Sequence, residues 1–148
     1  MLNLCALVID DSRVMRSMVM KNLIAARLAN FTFIEAEDGA DALAKFDPAK
    51  IDICFVDWNM PNMTGVEFVR KARARGDTGL VPMIMVTSEK TMSKIEEALA
   101  EAGADAYICK PFTIDDLQGK LKKLLDKLAD QLSAPAPAEG GFFSRLLG

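Results

Sequence analysis

The chain of 148 residues contains no histidine. This absence excludes a Ser-His-Asp triad, a histidine general base and most zinc sites, because each of these depends on an imidazole. It also means that the chain cannot itself carry a phosphohistidine. The reactive groups of this sequence must therefore be sought among its carboxylates, hydroxyls and amines.

Cysteine is scarce, and its number is odd. Cys5, Cys54 and Cys109 each lie inside a short apolar run, and no C-x-x-C pair is present. A redox or metal role would require such a pair or a basic neighbourhood. The pattern instead predicts three buried small hydrophobic residues in a reducing compartment.

Long hydrophobic runs and basic blocks are missing as well. The amino terminus has no charged region before its apolar run, which stops at Asp10. We therefore expect no signal peptide, no stable membrane insertion and a cytoplasmic location. The net charge of −3 and the lack of a basic block disfavour nucleic acid as a partner.

Five short apolar runs are present, and each is followed by a segment with helical spacing. Because strands that alternate with helices form right-handed crossovers, this pattern predicts an α/β fold. The expected architecture is a doubly wound (βα)5 domain, in which a five-stranded parallel sheet has helices on both faces. The predicted strands are residues 4–9, 31–36, 53–56, 81–86 and 105–109. The helix after the second strand is expected to bury Ala40, Leu43, Ala44 and Phe46. Thr64 and Glu67 form a capping box that starts the next helix, and a further helix is predicted from about Met92 to Ala102.

Polar side chains follow these strands at the points where they end. Asp10 and Asp11 follow the first strand, Asp57 the third, Thr87 the fourth and Lys110 the fifth. In a doubly wound sheet the carboxyl ends of the strands lie along one edge, where ligands bind. The sequence therefore predicts three carboxylates, a hydroxyl and an ammonium around one crevice.

This combination suits magnesium and phosphoryl chemistry. Carboxylates held close together repel one another unless a cation joins them, and Mg2+ prefers oxygen ligands and phosphate. A carboxylate beside Mg2+, here Asp57, can attack phosphorus and form an acyl phosphate. Lys110 and Thr87 would then supply a charge and a hydrogen bond to the phosphoryl oxygens.

The motifs resemble the receiver domain of two-component response regulators, and within that family the single-domain chemotaxis regulators of the CheY type. The resemblance covers roughly residues 4–130 and implies the sheet order 2-1-3-4-5. It rests on Asp10-Asp11, Asp57-Trp58-Asn59-Met60-Pro61-Asn62-Met63, Val86-Thr87, Tyr107 and Lys110-Pro111-Phe112-Thr113.

The resemblance assigns a role to each site residue. It implies that a histidine kinase phosphorylates Asp57 and that Mg2+ binds the side chains of Asp11 and Asp57 and the main-chain carbonyl of Asn59. Asp10 would act largely through water. Lys110 would pair with the phosphoryl group, and the Lys110–Pro111 peptide bond would be cis.

The resemblance also implies a switch. Thr87 would move to meet the phosphoryl oxygen, which lets the Tyr107 ring turn inward. This would remodel the face formed by helix 4, strand 5 and helix 5, where a downstream protein target docks. The chain would then be a signalling receiver and not an enzyme, and its only chemistry would be self-catalysed phosphoryl transfer and autodephosphorylation. The leading role would be the control of chemotaxis or motility.

Three other functions share part of this pattern. The chain could be a stand-alone receiver that acts as a phosphate sink or relay intermediate in another pathway. A magnesium phosphatase of the haloacid-dehalogenase type would have Asp-x-Asp on the first strand, whereas Asp57-Trp58-Asn59 lies on the third. A flavodoxin would need a hydroxyl- and glycine-rich phosphate loop after strand one, where Asp10 and Asp11 would repel phosphate.

The composition changes after Leu132. We predict a receiver domain at 1–132, followed at 133–148 by a flexible linker rich in proline, alanine and glycine and a short amphipathic tail. Phe142 with Leu146, and Phe143 with Leu147, have the i,i+4 spacing of one helical face. The segment is either a disordered end or a tethered peptide that docks in a groove on a partner or on this domain.

Overall fold

The computed structural model describes residues 1–76 and 81–133, so the predicted tail at 142–147 lies outside the described residues. Within these ranges five strands alternate with five helices. The strands are β1 (Asn3–Ile9), β2 (Asn30–Ala36), β3 (Ile53–Val56), β4 (Met83–Thr87) and β5 (Ala106–Cys109). The helices are α1 (Arg13–Ala26), α2 (Gly39–Lys45), α3 (Gly65–Ala74), α4 (Met92–Glu96, continued by a π-helical stretch at Glu97–Ala102) and α5 (Ile114–Ser133).

The strands form one parallel sheet in the order β2-β1-β3-β4-β5. This confirms the predicted α/β architecture and strand order. Strand β1 pairs with β2 on one side and with β3 on the other, so the chain reverses its direction of winding there. Ligands of such sheets bind at this reversal, beyond the carboxyl ends of the strands.

The sheet separates two apolar cores, which explains why its inner strands are apolar without alternation. In β3, Ile53 and Phe55 pack in one core with Leu23 of α1 and Leu121 of α5. The intervening Cys54 packs in the other core, among side chains of α2, α3 and α4. Among the described residues, the last member of either core is Leu132 of α5.

Side-chain caps set the starts of the helices around the crevice. The hydroxyl of Ser12 accepts a hydrogen bond from the main-chain N–H of Met15 at the start of α1. The predicted cap of α3 is present, since the Thr64 hydroxyl accepts from the N–H of Glu67 at 3.2 Å. These bonds satisfy main-chain donors that the helix itself leaves unpaired.

Two predicted helices differ in detail. The segment 92–102 was expected to be one α-helix, but it changes to π-helical pairing at Glu97 before Gly103 ends it with φ of 97°. In α2 the predicted buried side is confirmed for Phe46, which is buried, and for Leu43, which packs against the core. Ala40 and Ala44 are exposed instead, and Ala42 is buried. No helix in the described part of the chain is long and apolar enough to cross a membrane.

Candidate functional site

The polar residues at the strand ends are held in place by main-chain hydrogen bonds across the sheet. The N–H of Asp57 donates to the carbonyl of Ile9 at 2.9 Å, which ties the end of β3 to the end of β1. The N–H of Lys110 donates to the carbonyl of Thr87 at 2.9 Å, which ties β5 to β4. The sheet therefore brings together the side chains that the sequence predicted at one edge.

Three carboxylates converge at this edge. Asp10, Asp11 and Asp57 each offer an oxygen, and these oxygens all lie within 4.8 Å of one another. Asp10 is buried, Asp57 is half-buried and Asp11 is exposed, so the cluster opens to solvent on one side. Such a set of oxygen donors fits a hard divalent cation such as Mg2+.

Lys110 is the cation nearest to these carboxylates. Its Nζ lies 2.9 Å from Oδ2 of Asp10 and 3.7 Å from Oδ1 of Asp57. The Lys110–Pro111 peptide bond is cis, as the resemblance implied. Among the described residues, Lys110 is the cation that pairs with these carboxylates, and it reaches two of the three, so the cluster keeps an excess of negative charge.

Burial is the main electrostatic influence on Asp57. It raises the pKa of this carboxyl, and the charge of Asp10 adds to the rise. The ammonium of Lys110 and a hydrogen bond from the Thr87 hydroxyl act in the opposite direction. A carboxylate with little water around it gains strongly from any further positive charge that enters the site.

Thr87 and Tyr107 meet at the loop that follows β4. Thr87 is fully buried, and its hydroxyl lies 3.4 Å from the main-chain N–H of Glu89. The Tyr107 ring also lies inward, with 7% of the residue exposed, and its hydroxyl donates to the carbonyl of Glu89 at 2.7 Å. The Tyr107 ring therefore occupies the inward position in this structure, which is the position that the resemblance associates with a bound phosphoryl group.

Two further contacts join the loop after β3 to the region after β4. The side-chain amide of Asn59 donates to the carboxylate of Glu89 at 2.8 Å. The ammonium of Lys94 in α4 lies 4.7 Å from the centre of the Trp58 ring. Sequence analysis missed the second contact, because no local pattern relates a lysine to a tryptophan on another element.

Gly65 is a site residue whose role sequence analysis also missed. Its N–H donates to the carbonyl of Trp58 at 2.9 Å, so α3 starts directly against the strand end that carries Asp57. A Cβ at this position would collide with the Asp57 carbonyl and approach the Val56 side chain to 2.8 Å. Only glycine allows so close an approach of the two backbone segments. The glycine that follows the Thr64 cap was the available clue.

Comparisons with known proteins agree with this geometry. A family model described as the response regulator receiver domain matches residues 6–122. The chemotaxis protein CheY of Pseudomonas aeruginosa is 39% identical over 123 residues, which cover 82% of this chain and 96% of that protein. CheY-3 of Vibrio cholerae is 39% identical over 126 residues, covering 85% and 95%.

A solved structure shows the same likeness. The chemotaxis protein CheY4 of Vibrio cholerae, crystallised at low pH, superposes with a TM-score of 0.69 at 35% identity, covering 84% of this chain and 98% of that one. These matches do not favour the haloacid-dehalogenase or flavodoxin readings. They confirm the resemblance stated from the motifs, and the chain therefore belongs to the family of response regulator receiver domains.

Proposed function

We propose that this chain is a two-component response regulator that accepts a phosphoryl group on Asp57 from a histidine kinase and thereby switches its binding to other proteins. The observation that supports this most is the position of Asp57, half-buried within 4.8 Å of two further carboxylates and 3.7 Å from the Lys110 ammonium. The similarity to CheY proteins favours chemotaxis or motility control as the pathway. The proposed location is the cytoplasm.

The proposed cofactor is Mg2+. The side chains of Asp11 and Asp57 and the main-chain carbonyl of Asn59 would hold it, with Asp10 acting through water. The convergence of three carboxylate oxygens supports this set of ligands. When bound, the ion supplies positive charge that neutralises the carboxylates and the oxygens of an incoming phosphoryl group.

The residues of the chain would act on the phosphoryl group as follows. A carboxylate oxygen of Asp57 attacks phosphorus, and the phosphorus–nitrogen bond to the kinase imidazole breaks with its electron pair going to nitrogen. Lys110, now 2.9 Å from Asp10, would turn toward the phosphoryl oxygens and stabilise their charge. The Thr87 hydroxyl would donate a hydrogen bond on the same side.

The release of the phosphoryl group would be self-catalysed hydrolysis of the acyl phosphate. The hydrogen bond between Asn59 and Glu89 lies at the rim of the site. Water that attacks phosphorus must pass this rim. We therefore assign to this pair the control of the phosphoryl lifetime.

The proposed output face comprises α4, β5 and α5, and a downstream protein target binds there. The support is a chain of contacts from Thr87 through the Glu89 main chain to the Tyr107 hydroxyl. A movement of Thr87 toward the phosphoryl group would therefore reach the β5 surface. The receiver is assigned to residues 1–132 and the tail to 133–148.

Phosphorylation by acetyl phosphate tests the proposal. With Mg2+ the intact mass of the full chain should rise by one phosphoryl group, and a chelator should abolish the rise. Asp57→Asn should remain unlabelled, while Asp52→Asn, at the opposite edge of the sheet, should be labelled like the unaltered chain. Labelling of Asp57→Asn, or steady turnover of a phosphomonoester, would contradict the receiver function.

A further inference from the structure

A small pocket opens on the surface between β5 and the first turns of α5. Its volume is about 290 Å3, and it is lined by Tyr107, Ile108, Cys109, Pro111, Asp116 and Lys120. Ligand pockets for small molecules begin at about 300 Å3. The pocket therefore suits one or two side chains of a peptide better than a whole cofactor.

We propose that residues 142–147 of this same chain occupy the pocket and so cover the output face in cis. The binding itself is independent of phosphorylation. Its regulatory meaning rests on the proposed function, because a downstream target would have to displace the tail. Three features support this occupant: the reach of the chain, the order of charges along α5 and the apolar lining of the pocket.

The reach follows from the direction of α5. This helix leaves the edge that carries Lys110 and ends at Ser133, so its end lies toward the opposite edge of the sheet. The rise from Lys120 to Ser133 is about 20 Å at 1.5 Å per residue. Residues 134–141 can span about 26 Å when extended. The linker is therefore long enough to bring the tail back along α5 to the pocket.

The order of charges along α5 matches a tail that returns in the opposite direction. Asp115 and Asp116 lie at the start of α5, whereas exposed lysines, among them Lys120 and Lys123, lie nearer its middle. Glu139 and then Arg145 follow in the tail. An antiparallel return places Glu139 beside the lysines and Arg145 beside the acidic first turn. Among the described residues, Lys120 has no ion-pair partner.

The lining of the pocket suits the apolar side chains of the tail. Ile108, Cys109 and Pro111 supply an apolar floor and wall, and Pro111 is exposed. Phe142 and Phe143 come directly after the linker, so their rings are the first bulky groups that can reach this floor. Burial of an aromatic ring favours binding, and the tether raises the local concentration of the tail at the pocket.

Amide NMR spectra of the full chain and of the double variant Phe142→Ala, Phe143→Ala test the proposal. These substitutions leave every described member of the two cores unchanged, so we expect the fold to be retained. We expect the amide shifts of Tyr107, Cys109 and Lys120 to change. The proposal would be overturned if no shift changed. It would also be overturned if the changes lay around the pocket of about 420 Å3 at the opposite edge, which is lined in part by Asn3, Phe31 and Lys50.

A charge-reversal cycle tests the direction of the tail. Lys120→Glu alone and Glu139→Lys alone should each reduce occupancy about twofold to threefold, in line with exposed ion pairs. The two together should restore it, a result that a merely structural role of Lys120 would not produce. Lys50→Glu is the matched control and should have no effect. Failure of the double variant to restore occupancy would overturn the antiparallel arrangement.

A labelled peptide of residues 134–148 distinguishes the occupants. A chain that ends at Ser133 keeps every described member of both cores, so it should fold. We expect it to bind this peptide about tenfold more tightly than the full chain, whose own tail competes. The cis arrangement would be overturned if the full chain and the shortened chain bound the peptide equally. It would also be overturned if the amide shifts depended on protein concentration, which would indicate a second copy of the chain. All these measurements use unphosphorylated protein, and their failure leaves the role of Asp57 untouched.

Discussion

The two edges of the sheet use the same residue type in opposite ways. At the amino edge, the carboxylate of Asp52 accepts a hydrogen bond from the N–H of Cys5 at 2.8 Å. Asp105 accepts from the N–H of Met83 at 2.8 Å and pairs with Arg73 at 2.7 Å. At the carboxyl edge, Asp10, Asp11 and Asp57 face one another beside the Lys110 ammonium, and among the described residues Asp10 accepts only a local main-chain hydrogen bond, from the N–H of Ser12 at 2.9 Å.

The difference shows how structural and reactive carboxylates can be told apart. An acid whose oxygens accept from a main-chain donor on a neighbouring strand stabilises the connection between strands, and its removal leaves that donor unpaired. Acids that crowd together raise the energy of the folded chain until a cation arrives. Four substitutions or titrations test this contrast, in order of decreasing expected effect.

Gly65→Ala should disturb the carboxyl edge most. Since the new methyl group would collide with the Asp57 carbonyl, we expect a loss of about 3 kcal/mol in the free energy of unfolding and slower labelling by acetyl phosphate. Gly119→Ala is the matched control, because a Cβ there meets nothing within 4 Å. It should stabilise α5 by up to about 1 kcal/mol. Urea denaturation measures both, and equal effects would contradict the argument.

Asp52→Ala and Asp57→Ala compare the two edges directly. Removal of Asp52 leaves the N–H of Cys5 without this carboxylate and should cost about 2 kcal/mol of unfolding free energy. Removal of Asp57 relieves a half-buried charge and should cost nothing or stabilise the unphosphorylated chain. The midpoints of urea denaturation should separate the two variants. If Asp57→Ala were the more destabilised, the contrast between the edges would be lost.

Thr64→Ala examines how the helix beside Asp57 is fixed. Loss of the hydroxyl that accepts from the Glu67 N–H should cost about 1 kcal/mol. Thr91 begins α4 without a side-chain cap, so Thr91→Ala should stay within about 0.5 kcal/mol of the unaltered chain. Thermal unfolding measures the pair. A Thr91→Ala effect as large as that of Thr64→Ala would contradict the assignment of the cap.

Ionisation of Tyr107 should have the smallest effect on the free energy of unfolding, and only at high pH. Burial, with the nearby Cys109 and Glu89, raises the pKa of this phenol to about 12, from an ordinary value of 10.0. The unfolded chain therefore loses the proton first, so the contribution to stability is complete below about pH 10 and declines as the pH rises toward 12. Absorbance of the only tyrosine follows the titration. Ionisation near pH 10 in the folded chain would contradict an inward ring, and Tyr107→Phe should show no such titration.

The sequence was sufficient for much of the fold and for the composition of the site. Continuous apolar runs marked the strands, because both faces of the sheet are covered, and the acids after Ile9 and Val56 marked the reactive edge. The buried side of α2 was predicted correctly at Leu43 and Phe46 but wrongly at Ala40 and Ala44, since alanines at 40, 42 and 44 give little contrast between the sides of the helix. The contact of Lys94 with Trp58 depends on how α4 packs, which no local pattern encodes.

That contact gives the protein an internal optical probe. Trp58 is the only tryptophan, it adjoins Asp57, and an ammonium lies 4.7 Å from its ring centre. A nearby cation alters the emission of an indole, so any displacement of the first turn of α4 should register as a change in fluorescence. Events at the reactive edge can thus be followed in real time on the unlabelled chain, without dyes or isotopes.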